Sequence, residues 1–218
     1  MRMRFPSTIV CGIVLAASLL LAGGTMSSAQ SQGGHGSHGT SGAPGQAAAT
    51  PQQQGAAAKL VADVKTSIGR WSKVSAGEAD GFRQNNSFRF GTWGPAHFGN
   101  ATFSRDGVTL DPQRPEGLVY MKLQSGEVAL LGAIFKAPKG EGPRPGGPLT
   151  EWHSHECATG MGNALRSVGG QCPPGTTMVP RAVEMLHVWT FDNPDGPFAH
   201  GLTSRGIEAA VRQFSVRR

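Results

Sequence analysis

A single tyrosine, 7% aromatic residues and 16% charged residues leave little with which to build an aromatic recognition platform or a strongly charged surface. The 20 Lys and Arg against 14 Asp and Glu give a net charge of +6, too mild and too spread out to mark a nucleic-acid partner. Only 38% of the residues are hydrophobic, which excludes a polytopic membrane protein. Neither a phosphate-binding loop nor a dinucleotide fingerprint is present, and no nucleophile motif appears. Phosphoryl and hydride transfer therefore have no support, and no nucleotide cofactor is expected. The 218 residues allow one ordinary domain with an appendage.

What is present begins with an address. Met1-Arg2-Met3-Arg4 is basic, Thr8 to Ala22 is apolar and uncharged, and Ser27-Ser28-Ala29 offers small residues for cleavage after Ala29. Basic, apolar and small in that order describe a secretory signal peptide over residues 1–29. The apolar run is short for a membrane span, so no stable membrane anchor is expected and the mature chain is periplasmic or extracellular. Of the three cysteines, Cys11 leaves with the signal, and the net charge of the mature chain falls to +4. Cys157 and Cys172 remain, in a compartment that permits disulfides.

Residues 30–58 contain no Asp, Glu, Lys or Arg. Gly, Ser, Ala, Gln, Thr and Pro predominate, a composition too poor in apolar side chains to offset its ordering entropy, and a flexible linker is expected. His35 and His38 within it read as solvated histidines rather than a metal trap.

Residues 59–218 form the expected single domain. Their 22 Gly and 12 Pro demand many turns and disfavour a helix bundle. Leu60, Val64, Ile68 and Trp71 recur at helical spacing, predicting an amphipathic helix over roughly 57–73. A short helical turn is expected at Gly77–Phe82. Gly117–Leu123 and Glu127–Ala137 read as strands joined by a hairpin. Residues 138–148 read as loop, Leu149–Cys157 as a strand, 158–177 as Gly-rich loop and Val183–Asp192 as a further strand. Asn193-Pro194-Asp195-Gly196 is a turn, and Arg205–Phe214 a closing helix. The sum is an α+β domain, an N-terminal amphipathic helix on a small, mainly antiparallel sheet with long Gly/Pro-rich loops. A small β-barrel is the alternative.

The chemistry lies in five histidines of this domain: His97, His153, His155, His187 and His200. In Glu151-Trp152-His153-Ser154-His155-Glu156-Cys157 an extended chain puts His153, His155 and Cys157 on one face. His187 shares a strand face with Trp189 and Phe191, where an imidazole needs a hydrogen bond or a metal. His153, His155 and His187 together make three nitrogen ligands, with His97 as a fourth ligand or a neighbouring acid/base. Zinc or copper suits such a set. Glu156 is a candidate acceptor or general base. Cys157 and Cys172 are candidates for a disulfide. The competing role for Cys157 is as a thiolate ligand, and one sulfur cannot serve both.

Ala96-His97-Phe98-Gly99-Asn100, Pro115-Glu116-Gly117-Leu118-Val119-Tyr120 and Leu186-His187-Val188-Trp189 with Asn193-Pro194-Asp195-Gly196 occur in that order. In this respect the chain resembles a family of small exported bacterial proteins of unknown activity. The resemblance implies that His97 and His187 belong to one constellation, and it implies no mechanism. Gly147 with His153 and His155 also resembles the first cupin motif, although the Glu of that motif is missing at its usual distance and no second motif follows His187. Three functions stay open: an exported metal-binding protein, a metal-dependent enzyme of hydrolytic or cupin-type oxygen chemistry, and a non-enzymatic binding module of the cell envelope. The expected partner is a metal ion or small molecule.

Overall fold

The computed structural model describes residues 48–85, 90, 95–158, 164–179 and 182–215. The expected signal peptide, with Cys11, and the expected linker as far as residue 47, with His35 and His38, lie outside the described residues.

The first helix, α1 (Pro51–Ile68), starts earlier than its apolar stripe predicts and takes residues 51–58 out of the expected linker. The reason is local. Thr50 Oγ1 accepts from the Gln53 amide at 3.2 Å while Gln53 Oε1 accepts from the Thr50 amide at 2.9 Å, a reciprocal cap. Pro51 sits at the first helical position, where its missing N–H costs nothing. The alanines at 56–58 then propagate the helix well. The predicted stripe is buried as expected: Leu60, Val64 and Ile68 on α1, and Trp71 in the 3₁₀ turn Gly69–Trp71 that follows. The short helix α2 (Val74–Ala79) begins three residues before its expected start, and Phe82 instead opens a strand.

Among the described residues nine strands follow. They are β1 (Phe82–Gln84), β2 (Ala96–Asn100), β3 (Gly117–Lys122), β4 (Val128–Ala137) and β5 (His153–Ser154), then β6 (Cys157–Ala158), β7 (Ala164–Leu165), β8 (Thr177–Met178) and β9 (Glu184–Trp189). The final helix, α3 (Ser204–Ser215), matches the expected closing helix. The main sheet has the order β1-β2-β3-β4-β9-β5, antiparallel throughout and open at both edges, so the α+β expectation holds and the barrel alternative does not. The β3–β4 hairpin closes as its turn chemistry requires, with Gly126 at φ +87° and its amide donating to Leu123 O at 2.9 Å.

The expected strand Leu149–Cys157 is not continuous. Its start is a 3₁₀ turn, Gly147–Leu149; only His153 and Ser154 pair with β9; and Cys157 belongs to a second sheet of order β7-β6-β8. The chain leaves the main sheet at His155 and Glu156, where the Glu156 carboxylate is held by Lys139 and Ser167. A disulfide between Cys157 and Cys172 ties the next residue to the loop beyond. The period-two argument that put His153, His155 and Cys157 on one strand face therefore fails beyond Ser154.

The main sheet buries both faces. Leu118, Tyr120, Ala133, Phe135, Leu186 and Val188 pack with Leu60, Val64 and Ile68 of α1. Val119, Leu131, Ile134 and Trp189 pack on the other side with Ala210, Ile207, Val211 and Phe214 of α3. Tyr120 donates its buried hydroxyl to Trp71 O at 2.7 Å, fastening the end of the α1 segment to the sheet. Among the described residues no helix is long and apolar enough to cross a membrane.

Candidate metal centre

Strand register decides which face the histidines take. His97 pairs with Val119, and Ile134 pairs with His187, so both histidines stand on the α3 face. Within that face, Gly117 of β3 pairs with Gly99 and Ile134, and Gly132 of β4 pairs with Val119 and Trp189. Two of the positions between β2 and β9 thus carry no side chain, and the His97 ring reaches to 5.7 Å from His187 across them. His153 on β5 pairs with Met185, two residues before His187, while its neighbour Trp152 packs into the α1 side. The His153 ring lies 5.3 Å from His187.

His155 is no longer on a strand, yet its ring stays 5.3 Å from His153. The segment around it is fixed from three sides. Glu156 is paired with Lys139, the Val179 amide donates to Glu156 O at 2.7 Å, and the disulfide follows at Cys157. The disulfide removes Cys157 from any ligand set. Glu156 is engaged elsewhere: Lys139, Ser167 and Ser154 hydrogen-bond to its carboxylate and hold it at about 2.

His200 is the neighbour that spacing did not reveal. Its ring is 4.3 Å from His153. It arrives on a strap clamped to β9: the Trp189 amide donates to Pro197 O at 2.8 Å, and Trp189 Nε1 donates to Ala199 O at 2.8 Å. The turn before it closes through Gly196 N to Asn193 O at 3.0 Å, and Asp195 holds Arg205 at 2.6 Å. The legible signals were the Asn-Pro-Asp-Gly turn and the indole of Trp189, which needs an acceptor when buried. Arg166 Nη1 lies 3.3 Å from His200 Nδ1; guanidinium only donates, so in the neutral ring the proton sits on Nε2.

The electrostatics keep the rings neutral. Burial pushes His153 down to about 3, with His200, His155 and Arg166 adding to it. Burial, then His155 and Lys136, pushes His97 to about 4. His187 is held well below the usual histidine range, by burial first and then by its imidazole neighbours. His200 is lowered too, by burial and then Arg166, while Glu151 acts the other way. Neutral imidazole is the form that ligates metals.

Both ring nitrogens of His153 and Nδ1 of His187 are buried and have no hydrogen-bond partner among the described residues. These residues are 3% and 4% exposed. Each such atom costs about 1–3 kcal/mol in lost hydration. His187 also lies parallel to the Trp189 indole, at 5.2 Å and 2°.

Zn–N bonds of about 2.0–2.1 Å in a tetrahedral set put imidazole centroids about 5 Å apart. The 5.3, 5.3 and 5.7 Å separations here match that spacing. Ring orientation is a separate condition: among the described residues no three His, Cys, Asp or Glu side chains form a group able to hold a metal ion as they stand. The donors suit a transition metal in type, and as they stand they do not meet at a common point.

One further buried group was not foreseen. Glu116 is 3% exposed, accepts from the Lys136 amide at 3.1 Å, and is pushed by burial up to about 7. The constellation stands on its own geometry: no family model, no curated protein and no solved structure matches the chain.

Proposed function

We propose that the chain is an exported protein whose histidine cluster binds one transition-metal ion, zinc or copper, through His153 and His187 with His97 and His155 beside them. The observation that carries this reading is the pair of orphaned nitrogens on His153 together with that on His187. Native interiors rarely leave such atoms unpaired, and a metal bond satisfies one nitrogen on each ring. Neutral rings and centroid separations near 5 Å support the same reading. Export is supported by the basic, apolar and small leader and by the Cys157–Cys172 disulfide. The rings of His97 and His187 lie 5.7 Å apart, which supports counting His97 with the cluster.

The test is equilibrium dialysis of the mature chain against zinc or copper, followed by elemental analysis. The expected result is one ion per chain, lost in the double variant His153→Ala/His187→Ala. Substoichiometric metal, unchanged in that variant, overturns the reading.

A further inference from the structure

The geometry points to copper(I) as the ion, with the Met185 thioether as a ligand beside His153 and His187. This inference rests on the metal-site reading above.

Met185 is directly opposite His153 in the β5–β9 register, and it precedes His187 by two residues on β9. All three therefore share the α3 face of the sheet. Directly opposed residues have Cβ atoms about 4.5–5.5 Å apart, within reach of a side chain as long as methionine. Met185 is half-buried and packs against the apolar cluster of that face.

Thioether sulfur is soft and uncharged. It is not among the usual ligands of zinc, which takes thiolate, imidazole and carboxylate. It selects copper(I).

The surrounding charge points the same way. Lys136 is opposite Met185 on β4 and acts on His97, and Arg166 approaches His200. Glu151 acts on His200 in the opposite sense, and Glu156 is engaged by Lys139 and Ser167. The proposed ligands carry no charge, so nothing in the set offsets a second positive charge on the ion. A divalent ion at that place meets twice the repulsion from Lys136 and Arg166 that a monovalent ion meets.

The experiment uses the mature chain with its disulfide intact. Copper(I) is titrated anaerobically against a chromophoric copper(I) chelator, zinc is titrated separately, and X-ray absorption is recorded at the copper edge. The expected result is a sulfur ligand in the copper spectrum that disappears in Met185→Leu, a change that keeps side-chain volume. Copper(I) affinity falls at least about tenfold in that variant, and zinc affinity does not move. A wild-type copper spectrum with nitrogen neighbours alone overturns the assignment of Met185 and leaves the metal site standing. So does a sulfur ligand that persists in Met185→Leu. Failure of the chain to take up either metal overturns both readings together.

Discussion

The ring of His153 lies 4.3 Å from that of His200, one carried by a two-residue edge strand and the other by a strap hydrogen-bonded to Trp189. Neither partner is held by its own strand pairing alone. The cluster consequently depends on three fastenings outside the rings: the β5–β9 pairing, the indole of Trp189 and the disulfide beside His155.

Acid should unfold this protein through its histidines. A histidine whose folded pKa is depressed binds fewer protons folded than unfolded, so stability is full above the unfolded value near 6.5 and falls as pH drops below it. For His153, at about 3 in the fold, the loss between pH 7.5 and pH 5 is about 2 kcal/mol. Glu116 works against this. Its folded value, raised to about 7, contributes stability below 4.5 that is lost as pH rises towards 7. Urea unfolding midpoints across pH 4.5–7.5 should therefore fall on acidification, and should fall more steeply in Glu116→Gln. A flat profile in that variant contradicts the burial of neutral imidazoles.

Trp189→Phe should loosen the strap. The variant removes the indole N–H that Ala199 O accepts and shrinks a side chain that is 2% exposed. A cost of about 2–4 kcal/mol is expected in chemical denaturation. Metal affinity should weaken with it, because His200 and the face of His187 lose their support. Unchanged amide exchange in residues 198–200 of the variant would show that the strap is held by something else.

The disulfide should matter twice. Closing a segment with sequence separation 15 stabilises by roughly 3 kcal/mol in the chain-entropy account. Cys157→Ser/Cys172→Ser should lose about that much, and should also bind metal more weakly, since the chain from His155 onward then loses its covalent tie and keeps only Glu156 and the pairing of β6 with β7 and β8. Two reactive thiols in the exported wild-type protein would remove the basis for this expectation.

Removing the hydroxyl of Tyr120 tests the other face of the sheet. Tyr120→Phe leaves Trp71 O without its donor in a buried site, and about 1–2 kcal/mol of stability should go. Metal binding should not change, because Tyr120 packs on the α1 side. A parallel loss of metal affinity would mean that the two faces are coupled.

Periodicity in the sequence was a good guide to the long elements. Leu60, Val64, Ile68 and Trp71 are buried where their spacing puts them, and the hairpin of β3 and β4 closes at Gly126. The start of α1 was hidden because Thr50 and Gln53 cap it through side chains in a segment whose composition resembles a linker. The strands β1 and β2 are short and rich in polar or small residues, and only their antiparallel partners make them strands. At the site, same-face reasoning was sound for His187 and Trp189, whose rings lie parallel on one face of β9. It failed at Cys157, where Glu156 and the disulfide redirect the chain, tertiary contacts to which a two-residue period is blind. His200 was out of reach because a loop has no period at all, and its position follows from hydrogen bonds that Trp189 makes to two carbonyls.

The central claim is that one orphaned nitrogen on each of His153 and His187 is a metal ligand, and the ring-nitrogen resonances of those residues report on it directly. ¹⁵N NMR spectra of the mature chain, recorded during titration with zinc or with copper(I), should show the nitrogens of His153 and His187 shifting together and stopping at one equivalent of the ion that binds. Ring nitrogens that stay in place through an excess of both ions would contradict the account.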